Sequence, residues 1–313
     1  MQDRDDPASQ QCSNRIAYSC FVDNQPRYIK QSFRFLFSLI RSGKNLDDIF
    51  FGINEDVDSS FTDVLTHHCG LKNITRHTTF TSTSKPANKW LQLCNEKLST
   101  YSHVIINDCD KVYLDFDERW ADNSVRACKF VPRPTFTAFE NLFDHFGLGN
   151  PRFYLDHPDP KDPRKDPRNY VNNHNGGLII IPGALLGTVT STWKKYIDEL
   201  HQHITLLGQN SRNLDQVAFA LTMAEIGQDI NFLPKSLDIG LGVKNLSPWL
   251  NTGNSGQLIL HIHGDEDENG LIVTRDTTHD DLKAISDQFN NDYQDWLKSV
   301  NAFDTVFDTA KAA

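Results

Sequence analysis

The feature that most limits how this chain can fold is the alternation of short apolar runs with helical patterns along its first third. Runs of strand length predict strands over residues 15–22, 48–54, 73–80 and 103–107. Apolar residues at helical spacing predict helices between them, over 29–40 with an end near Gly43, and over 86–97. Strands that alternate with helices form a mainly parallel sheet flanked by helices, so the sequence predicts a Rossmann-like α/β fold.

The second half of the chain is less regular. Its pattern predicts strands over residues 177–182 and 258–263, and helices over 191–207 and 213–226. Near the C-terminus an apolar stripe at helical spacing predicts a helix packed on the core, formed by Leu282, Ile285, Phe289, Tyr293, Trp296 and Val300. We therefore expect a polar tail over residues 1–13 and a C-terminal helical extension over residues 276–313.

Charge and composition exclude several classes of protein. The net charge of −10 argues against a general nucleic-acid binder, although a bound cation can still attract a phosphate-bearing small ligand. No apolar run reaches the roughly 18 residues of a membrane span, so we expect no transmembrane segment. Residues 1–10 are polar and acidic and hold no apolar h-region, so we expect no signal peptide. The six cysteines are scattered without a CxxC pair, which is typical of reduced thiols. We therefore expect a cytoplasmic location.

Acidic residues follow two of the predicted strands: Asp23 follows the first, and Asp108 and Asp110 follow the fourth. Parallel α/β sheets bind ligands beyond the carboxyl ends of their strands. Two carboxylates separated by one residue can both bind one Mn²⁺ or Mg²⁺ and leave positions for phosphate oxygens. The alternative is a solvated turn with an Asx cap. Asp115 and Asp117 repeat the spacing. They are the weaker candidates for metal binding, because the apolar strand leads directly to Asp108.

The last predicted strand carries two histidines. Residues i and i+2 of a strand face the same side, so His261 and His263 should project together. A neutral imidazole binds Mn²⁺ or donates to phosphate, and the alternative is a pair of histidines that are merely hydrogen-bonded. We predict that His261 is a metal ligand and that His263 is a phosphate-facing or supporting group.

Two further motifs are compatible with sugar binding. Asp215 and Gln216 open a predicted helix, where they either cap it or present a carboxylate and an amide to sugar hydroxyls. Asn175, Gly176 and Gly177 precede a predicted strand, and paired glycines either let a ligand approach the backbone or simply form a turn.

The order of these motifs resembles the GT-A superfamily of glycosyltransferases, and within it the glycogenin and bacterial lipopolysaccharide galactosyltransferase group, family 8. That group has an Asp after the first strand, a DxD after the fourth, an Asn-x-Gly strand mouth, a Trp-bearing helix, an Asp-Gln pair, a Leu-Pro segment and His-x-x-Gly. The matching residues are Asp23, Asp108-Cys109-Asp110, Asn175-Gly176-Gly177, Trp193, Asp215-Gln216, Leu233-Pro234 and His261-Ile262-His263-Gly264. The chain differs at the Cys of its DxD and after Gly264, where Asp265 to Glu268 replace the group's Lys-Pro-Trp.

The resemblance implies a GT-A domain over residues 14–275, with a nucleotide-sugar half over about 14–120 and an acceptor half over about 121–275. It implies that Asp108, Asp110 and His261 hold Mn²⁺ or Mg²⁺, and that Asp215 and Gln216 act at the reacting sugar. It also implies a set of donor-binding residues, namely Asp23, Asn24, Lys89, Asp108, Asn175, Gly176, Gly177 and His263.

These expectations together describe a metal-dependent hexosyl- or pentosyltransferase. It would move a sugar, with retention of configuration, from a nucleoside-diphosphate donor such as a UDP-sugar to a glycan or other hydroxyl-bearing acceptor. One alternative is an inverting enzyme with Asp215 as the base. Another is a non-catalytic nucleotide-sugar or glycan-binding module, although the chain keeps both DxD carboxylates. A nucleotidyltransferase is disfavoured, because residues 21–26 lack the Gly-rich basic loop.

Residues 150–175 are rich in proline and charge and predict a long exposed loop beside the acceptor side of the cleft. The loop holds a basic cluster that could attract an anionic acceptor, formed by Lys161, Arg164, Lys165 and Arg168. The alternative is that the loop's own aspartates neutralise this cluster. Shortening the loop between Asp159 and Arg168 is expected to impair transfer while leaving donor hydrolysis nearly unchanged.

Overall fold

The apolar runs predicted as strands lie in one large sheet. A computed structural model describes residues 13–79, 82–129, 134–155, 166–242, 257–276 and 278–302. Its strands are β1 (Ser13–Val22), β2 (Ile49–Asn54), β3 (Asn73–His77), β4 (Tyr101–Asn107), β5 (Lys111–Asp115), β6 (Arg126–Lys129), β7 (Phe153–Leu155), β8 (Arg168–Tyr170), β9 (His174–Pro182), β10 (Asn231–Leu233), β11 (Ile239–Gly240) and β12 (Leu258–His261).

Helices cover the sheet. The α-helices are α1 (Pro26–Arg41), α2 (Ser59–Asp63), α3 (Phe136–Phe146), α4 (Gly183–Gln202), α5 (Leu214–Glu225) and α6 (Asp280–Ser299). Shorter 3-10 helices span Leu46–Asp48, Ser82–Leu93, Glu96–Thr100, Glu118–Trp120, Ile204–Asn213 and Lys235–Leu237, and a π-helix spans Val64–His68. Within these described residues, no helix is both long enough and apolar enough to cross a bilayer.

The central sheet has seven strands in the order β10-β6-β9-β4-β1-β2-β3. β4 is the central strand; β1 lies next to it and pairs in parallel with β4 and with β2, and β2 pairs in parallel with β3. β9 runs antiparallel between β4 and β6, and β10 returns to a parallel pairing with β6. The predicted α/β fold with a mainly parallel, helix-flanked sheet is confirmed.

A second sheet of three strands, in the order β11-β12-β5, lies beside the first. β12 pairs antiparallel with β5, so that His261 lies opposite Lys111, and it pairs in parallel with β11. The Ile262 amide continues the ladder by donating to the Asp110 carbonyl at 3.1 Å. This pairing brings the late histidines to the DxD turn, although the two segments are far apart in the sequence.

Some elements differ from their predicted form. The stretch predicted as a helix over 86–97 is a 3-10 helix, Ser82–Leu93. The strand predicted over 258–263 ends at His261, because His263 has a φ of +50° that turns the chain. The segment predicted as an irregular loop contains the antiparallel pair β7 and β8, while its residues 156–165, including Lys161, Arg164 and Lys165, lie outside the described residues.

The C-terminal helix packs on α1 through aromatic side chains. Phe37 of α1 meets Phe289 and Tyr293 of α6 with ring centroids 5.2 and 5.6 Å apart. Phe289 and Tyr293 are fully buried, and burying an aromatic side chain of this size stabilises a fold by about 1.5–3 kcal/mol. α1 ends before Gly43, whose φ of +79° lets the Lys44 amide donate to the Leu39 carbonyl at 3.0 Å.

Candidate active site

An open cleft of about 300 Å³ lies beyond the carboxyl ends of β1 and β4. The two strands are parallel neighbours with Cys20 opposite Asn107, so the residues that follow them reach the same edge of the sheet. Predicted site residues from four separate parts of the sequence line this cleft, namely Asp23, Lys89, Asp108, Asp110, Asp215 and Gln216.

One side of the cleft has a group of side chains suited to holding a metal ion. One donor atom from each of Asp110, His261 and His263 lies within 4.8 Å of the others. Asp110 comes from the turn between β4 and β5, while the histidines come from the end of β12 and the turn after it. Of the three, Asp110 lines the cleft itself, and we call the group the metal side of the cleft.

His263 reaches this group through an unusual backbone conformation and not by strand alternation. Its φ of +50° lies in the left-handed region, which costs a non-glycine residue free energy and is found most often at functional sites. The turn lays its ring against that of His261, with centroids 3.4 Å apart and an angle of 34° between the planes. Burial, together with the neighbouring His261, lowers the pKa of His263 and so favours the neutral form that binds metals.

The surroundings of Asp110 suit a residue that binds a metal cation. Its Oδ1 is buried, lies 3.3 Å from His261 Nε2, and accepts no hydrogen bond from the described residues. A buried carboxylate oxygen without a donor is costly unless something positive fills its place. Burial disfavours the charged form, but His261 more than offsets that effect and holds the pKa of Asp110 well below its ordinary value.

His261 is held on its other side by Asp238, which precedes β11. His261 Nδ1 lies 2.9 Å from Asp238 Oδ1, and the same oxygen accepts from Lys111 Nζ at 2.6 Å. Asp238 is 4% exposed and Lys111 is fully buried. Burial opposes the charge on Asp238, but Lys111 and His261 hold its pKa below the ordinary value.

The other side of the cleft is organised by Lys89. Its ammonium lies 2.7 Å from Asp108 Oδ1 and 3.2 Å from Asp215 Oδ2, and it donates to the Gly176 carbonyl at 3.1 Å. Burial disfavours the ammonium, but the two carboxylates raise the pKa of Lys89 above its ordinary value. Burial raises the pKa of Asp215, which Lys89 opposes. We call Lys89, Asp108, Asp215 and Gly176 the lysine side of the cleft.

The predicted metal ligands are therefore divided between the two sides. Asp110 and His261 belong to the metal side together with His263, whereas Asp108 pairs with Lys89. Asp108 is still close to the histidines, because a Cβ added at Gly177 would lie 3.1 Å from both Asp108 Oδ2 and His261 Cε1. The two DxD carboxylates thus border one space with different partners.

The two glycines at the start of β9 make room for both sides. A Cβ at Gly177 would lie 2.8 Å from Lys111 Cε, and one at Gly176 would lie 3.0 Å from Lys89 Nζ. Asn175 accepts from the Gly177 amide at 2.9 Å and donates to Asp238 Oδ2 at 3.3 Å. The two glycines of the Asn-Gly-Gly motif therefore leave room for the side chains of Lys111 and Lys89 against the backbone.

Of the remaining predicted residues, Asp23 and Gln216 line the cleft, and Asn24 and Trp193 contact them or their neighbours. Asp23 Oδ1 accepts from the Asn24 amide and from Asn54 Nδ2 of β2, each at 2.8 Å, and Asn24 is exposed. Trp193 of α4 fixes the start of α5 by donating to the Asp215 carbonyl at 3.0 Å. Gln216 Oε1 is buried and accepts no hydrogen bond from the described residues, which leaves it available to a ligand.

Sequence reasoning missed four residues of this region. Asp238 and Lys111 lie behind His261, and the exposed Arg27 and Arg212 line the cleft. Lys111 follows the DxD directly, and Asp238 closely follows the Leu-Pro segment, so both lay next to recognised motifs. Arg212 comes just before the Asp-Gln pair. Only the pairing of the small sheet shows that Lys111 and Asp238 meet.

The acidic run after Gly264 and the loop arginine have structural partners. Glu266 forms an ion pair at 2.9 Å with Arg34, which is buried in α1, and Asp265 pairs with Arg275. Arg168, the one member of the predicted basic cluster that the structure describes, pairs with Asp166 at 2.7 Å and lies over the Phe136 ring.

Of the comparisons with known proteins, only the one with solved structures found similar proteins. No protein-family model matches the sequence, and no curated protein matches it. The structure is similar to the apo-form glycosyltransferase GlyE of Streptococcus pneumoniae TIGR4, with a TM-score of 0.50, 14% identity, and coverage of 95% of this chain and 64% of that one. The apo bifunctional glycosyltransferase WbbM gives a TM-score of 0.49 and 12% identity over 95% of this chain and 51% of that one.

The chain spans less than two thirds of the length of either of these proteins. At 14% identity the likeness to GlyE concerns the fold alone, which is GT-A-like: a mainly parallel central sheet flanked by helices. The chemistry must therefore be argued from the cleft.

Proposed function

We propose that this protein is a metal-dependent glycosyltransferase that moves a sugar from a nucleoside-diphosphate donor to a hydroxyl-bearing acceptor. One observation carries the proposal: the cleft at the strand ends of a GT-A-like fold holds a metal side and a lysine side next to each other. The two sides match the two parts of such a donor. Positive charge binds the anionic diphosphate, and carboxylate and amide groups bind the hydroxyl groups of the sugar. The proposed catalytic domain covers residues 14–275.

The residues of the metal side fit a divalent cation. They offer one carboxylate and two imidazoles, and the buried Asp110 Oδ1 has no hydrogen-bond donor among the described residues. Imidazole suits transition metals better than Mg²⁺, which prefers oxygen ligands and keeps its water, so we propose Mn²⁺ over Mg²⁺. When bound, the ion would supply positive charge to offset the charge developing on the leaving diphosphate.

Residues of the chain add further positive charge and orient the donor. Lys89 has three acceptors in the structure, and an arriving diphosphate could replace one of them without leaving the ammonium unpaired. Arg27 and Arg212 line the same cleft and are exposed, so their guanidinium groups can also bind phosphate oxygens. Asp23 and Asn24, at the end of β1, are proposed to contact the nucleoside.

Asp215 and Gln216 are proposed to act at the sugar. The Asp215 carboxylate lies at the first turn of α5, and Gln216 Oε1 needs a donor that a sugar hydroxyl can provide. Both oxygens are favourable neighbours for an oxocarbenium-like state. Retention of configuration, a UDP-sugar donor and membership of family 8 are the finer parts of the proposal and depend on the motif order alone.

The inverting alternative rests on Asp215. Burial raises the pKa of its carboxyl, which increases its basicity as a general base requires, while the contact with Lys89 has the opposite effect. The anomeric configuration of the product, read by proton NMR on fresh reaction mixtures, distinguishes the two mechanisms.

The test of the proposal is incubation with a panel of nucleotide sugars and Mn²⁺, scored for released nucleoside diphosphate. Slow donor hydrolysis that disappears with EDTA and in Asp110→Ala supports the transferase. A non-catalytic binding module would be stabilised against heat by one donor and release nothing. Turnover at the wild-type rate in Asp110→Ala with EDTA present would reject the metal-dependent mechanism.

A cytoplasmic location completes the proposal. It is supported by the cysteines that the structure describes, which are all free thiols: Cys20, Cys69, Cys94, Cys109 and Cys128. Fractionation of cells that express the chain at its natural level is the direct measurement.

A further inference from the structure

We propose that Asp238 is the positioning residue of the metal site: it fixes the His261 ring so that Nε2 faces Asp110, and Lys111 fixes Asp238 in turn. This inference rests on the proposed metal site. Asp238 itself does not bind the ion in this arrangement. The two carboxylates that flank His261 therefore have different roles, one as ligand and one as support.

The two ring nitrogens of His261 have separate partners. Nδ1 is 2.9 Å from Asp238 Oδ1, and Nε2 is 3.3 Å from Asp110 Oδ1. A ring held through Nδ1 presents only Nε2 to the cleft. Metal-binding histidines are commonly oriented in this way by a carboxylate on the other nitrogen, which also makes the ligand more basic.

The hydrogen bonding of the two carboxylates indicates which one is the support. Asp238 uses both oxygens: Oδ1 accepts from Lys111 as well as His261, and Oδ2 is 3.3 Å from both Lys235 Nζ and Asn175 Nδ2. Asp110 Oδ1 has no hydrogen-bond donor among the described residues. The carboxylate whose oxygens both accept hydrogen bonds is fixed, and the one with a buried oxygen that accepts none can bind a cation.

The small sheet builds this arrangement into the backbone. Asp238 directly precedes β11, Lys111 is the first residue of β5, and His261 is the last residue of β12, which pairs with both. His261 lies opposite Lys111 in one pairing and Gly240 in the other. The sheet therefore sets the backbone positions of the three residues without the help of a ligand.

A purely structural role is the competing explanation. Lys111 is fully buried, and removing Asp238 would leave its charge unpaired, which destabilises a protein whatever the site does. The experiment must separate support of His261 from neutralisation of Lys111. The double variant Asp238→Ala/Lys111→Met does so, because it removes the buried charge together with its partner.

The measurement is Mn²⁺ affinity of the full chain by electron paramagnetic resonance titration, without donor or acceptor. We expect Asp238→Ala to weaken binding about 10- to 100-fold, and the double variant to remain equally weak while recovering thermal stability. Asp238→Asn, which keeps an acceptor without charge, should lie between. The control Asp292→Ala removes a carboxylate that pairs with Arg41 at 3.0 Å, and should bind like wild type.

Wild-type affinity in the double variant would overturn the proposal, since Asp238 would then serve only to neutralise Lys111. Wild-type affinity in Asp238→Ala alone would overturn it as well. His261→Ala separates this failure from failure of the metal site itself. If wild type binds Mn²⁺ and His261→Ala does not, the metal site stands and only the role of Asp238 is at issue. If wild type binds none, the metal site and the positioning role both fall.

Discussion

The metal side and the lysine side of the cleft each contain one carboxylate of the same DxD tripeptide, yet the two carboxylates are balanced differently. Asp108 pairs with a lysine of its own chain at 2.7 Å. Asp110, two residues later, has a buried oxygen without a hydrogen-bond donor among the described residues, next to two histidines. A motif that looks symmetric in sequence is thus divided by its neighbours into one acid that pairs with a lysine and one that faces two histidines.

The largest expected effect tests this division directly. We expect Asp110→Asn to weaken Mn²⁺ binding more than about 100-fold. That loss is larger than the loss of about 10- to 100-fold expected when a residue that only supports a metal ligand is removed. Asp108→Asn should cost less than about 10-fold, because it changes only the charge near the ion. Titration of both variants, with circular dichroism as the folding control, checks the prediction. Equal losses would make Asp108 a ligand, as the family resemblance implies.

The comparison also shows what the sequence could predict. β1 and β4 are local apolar runs, and their parallel pairing follows from strand–helix alternation, so Asp23 and Asp108 could be placed at one edge. The pairing of β12 with β5 joins segments far apart in the chain, and nothing local indicates the partner of an apolar run. Lys111 and Asp238 were missed for that reason.

His263 illustrates a second limit. The sequence prediction places His261 and His263 on the same face of one strand. That reasoning requires the strand to continue to His263, but the strand ends at His261. A positive φ is expected at Gly264, where it occurs at +87°, but not at a histidine. The two rings meet because of a turn, so the predicted proximity is right and its predicted cause is wrong.

The next prediction concerns the lysine side. Lys89→Met leaves Asp215, which is almost fully buried, without its cation, and we expect the free energy of unfolding to fall by about 2 kcal/mol. That is less than for a fully buried pair, because Asp108 is partly exposed. Urea unfolding measures the change, and Mn²⁺ affinity should stay near wild type. Adding Asp215→Asn should restore part of the stability, and failure to do so would mean that Lys89 acts through other contacts.

The paired glycines allow the lysine side to be disturbed alone, at Gly176, or together with the metal side, at Gly177. An added methyl group in a packed site costs about 1–3 kcal/mol. In Gly177→Ala it would meet Lys111, Asp108 and His261, so we expect weaker Mn²⁺ binding as well as lower stability. In Gly176→Ala it would meet Lys89 and Gln216, so donor turnover should fall while Mn²⁺ affinity is kept. If both variants lost metal affinity alike, the two sides would be one coupled site.

The smallest expected effect concerns the backbone of His263. Ala is normally more stable than Gly by about 0.5–1 kcal/mol, because glycine loses more backbone freedom on folding. At the φ of +50° the order should reverse, so that His263→Gly is more stable than His263→Ala by about 0.5–1 kcal/mol. The matched pair at His201, an exposed residue in the last turn of α4, should keep the normal order.

Both substitutions at His263 remove the imidazole, so they should lose Mn²⁺ affinity to the same extent while differing in stability. This separation identifies the strained turn as the means by which the second imidazole reaches the ion. If Ala remained the more stable residue, the left-handed conformation would carry no cost. If neither variant lost affinity, His263 would have the supporting role first expected for it, and the ion would be held by His261 with the two carboxylates of the DxD.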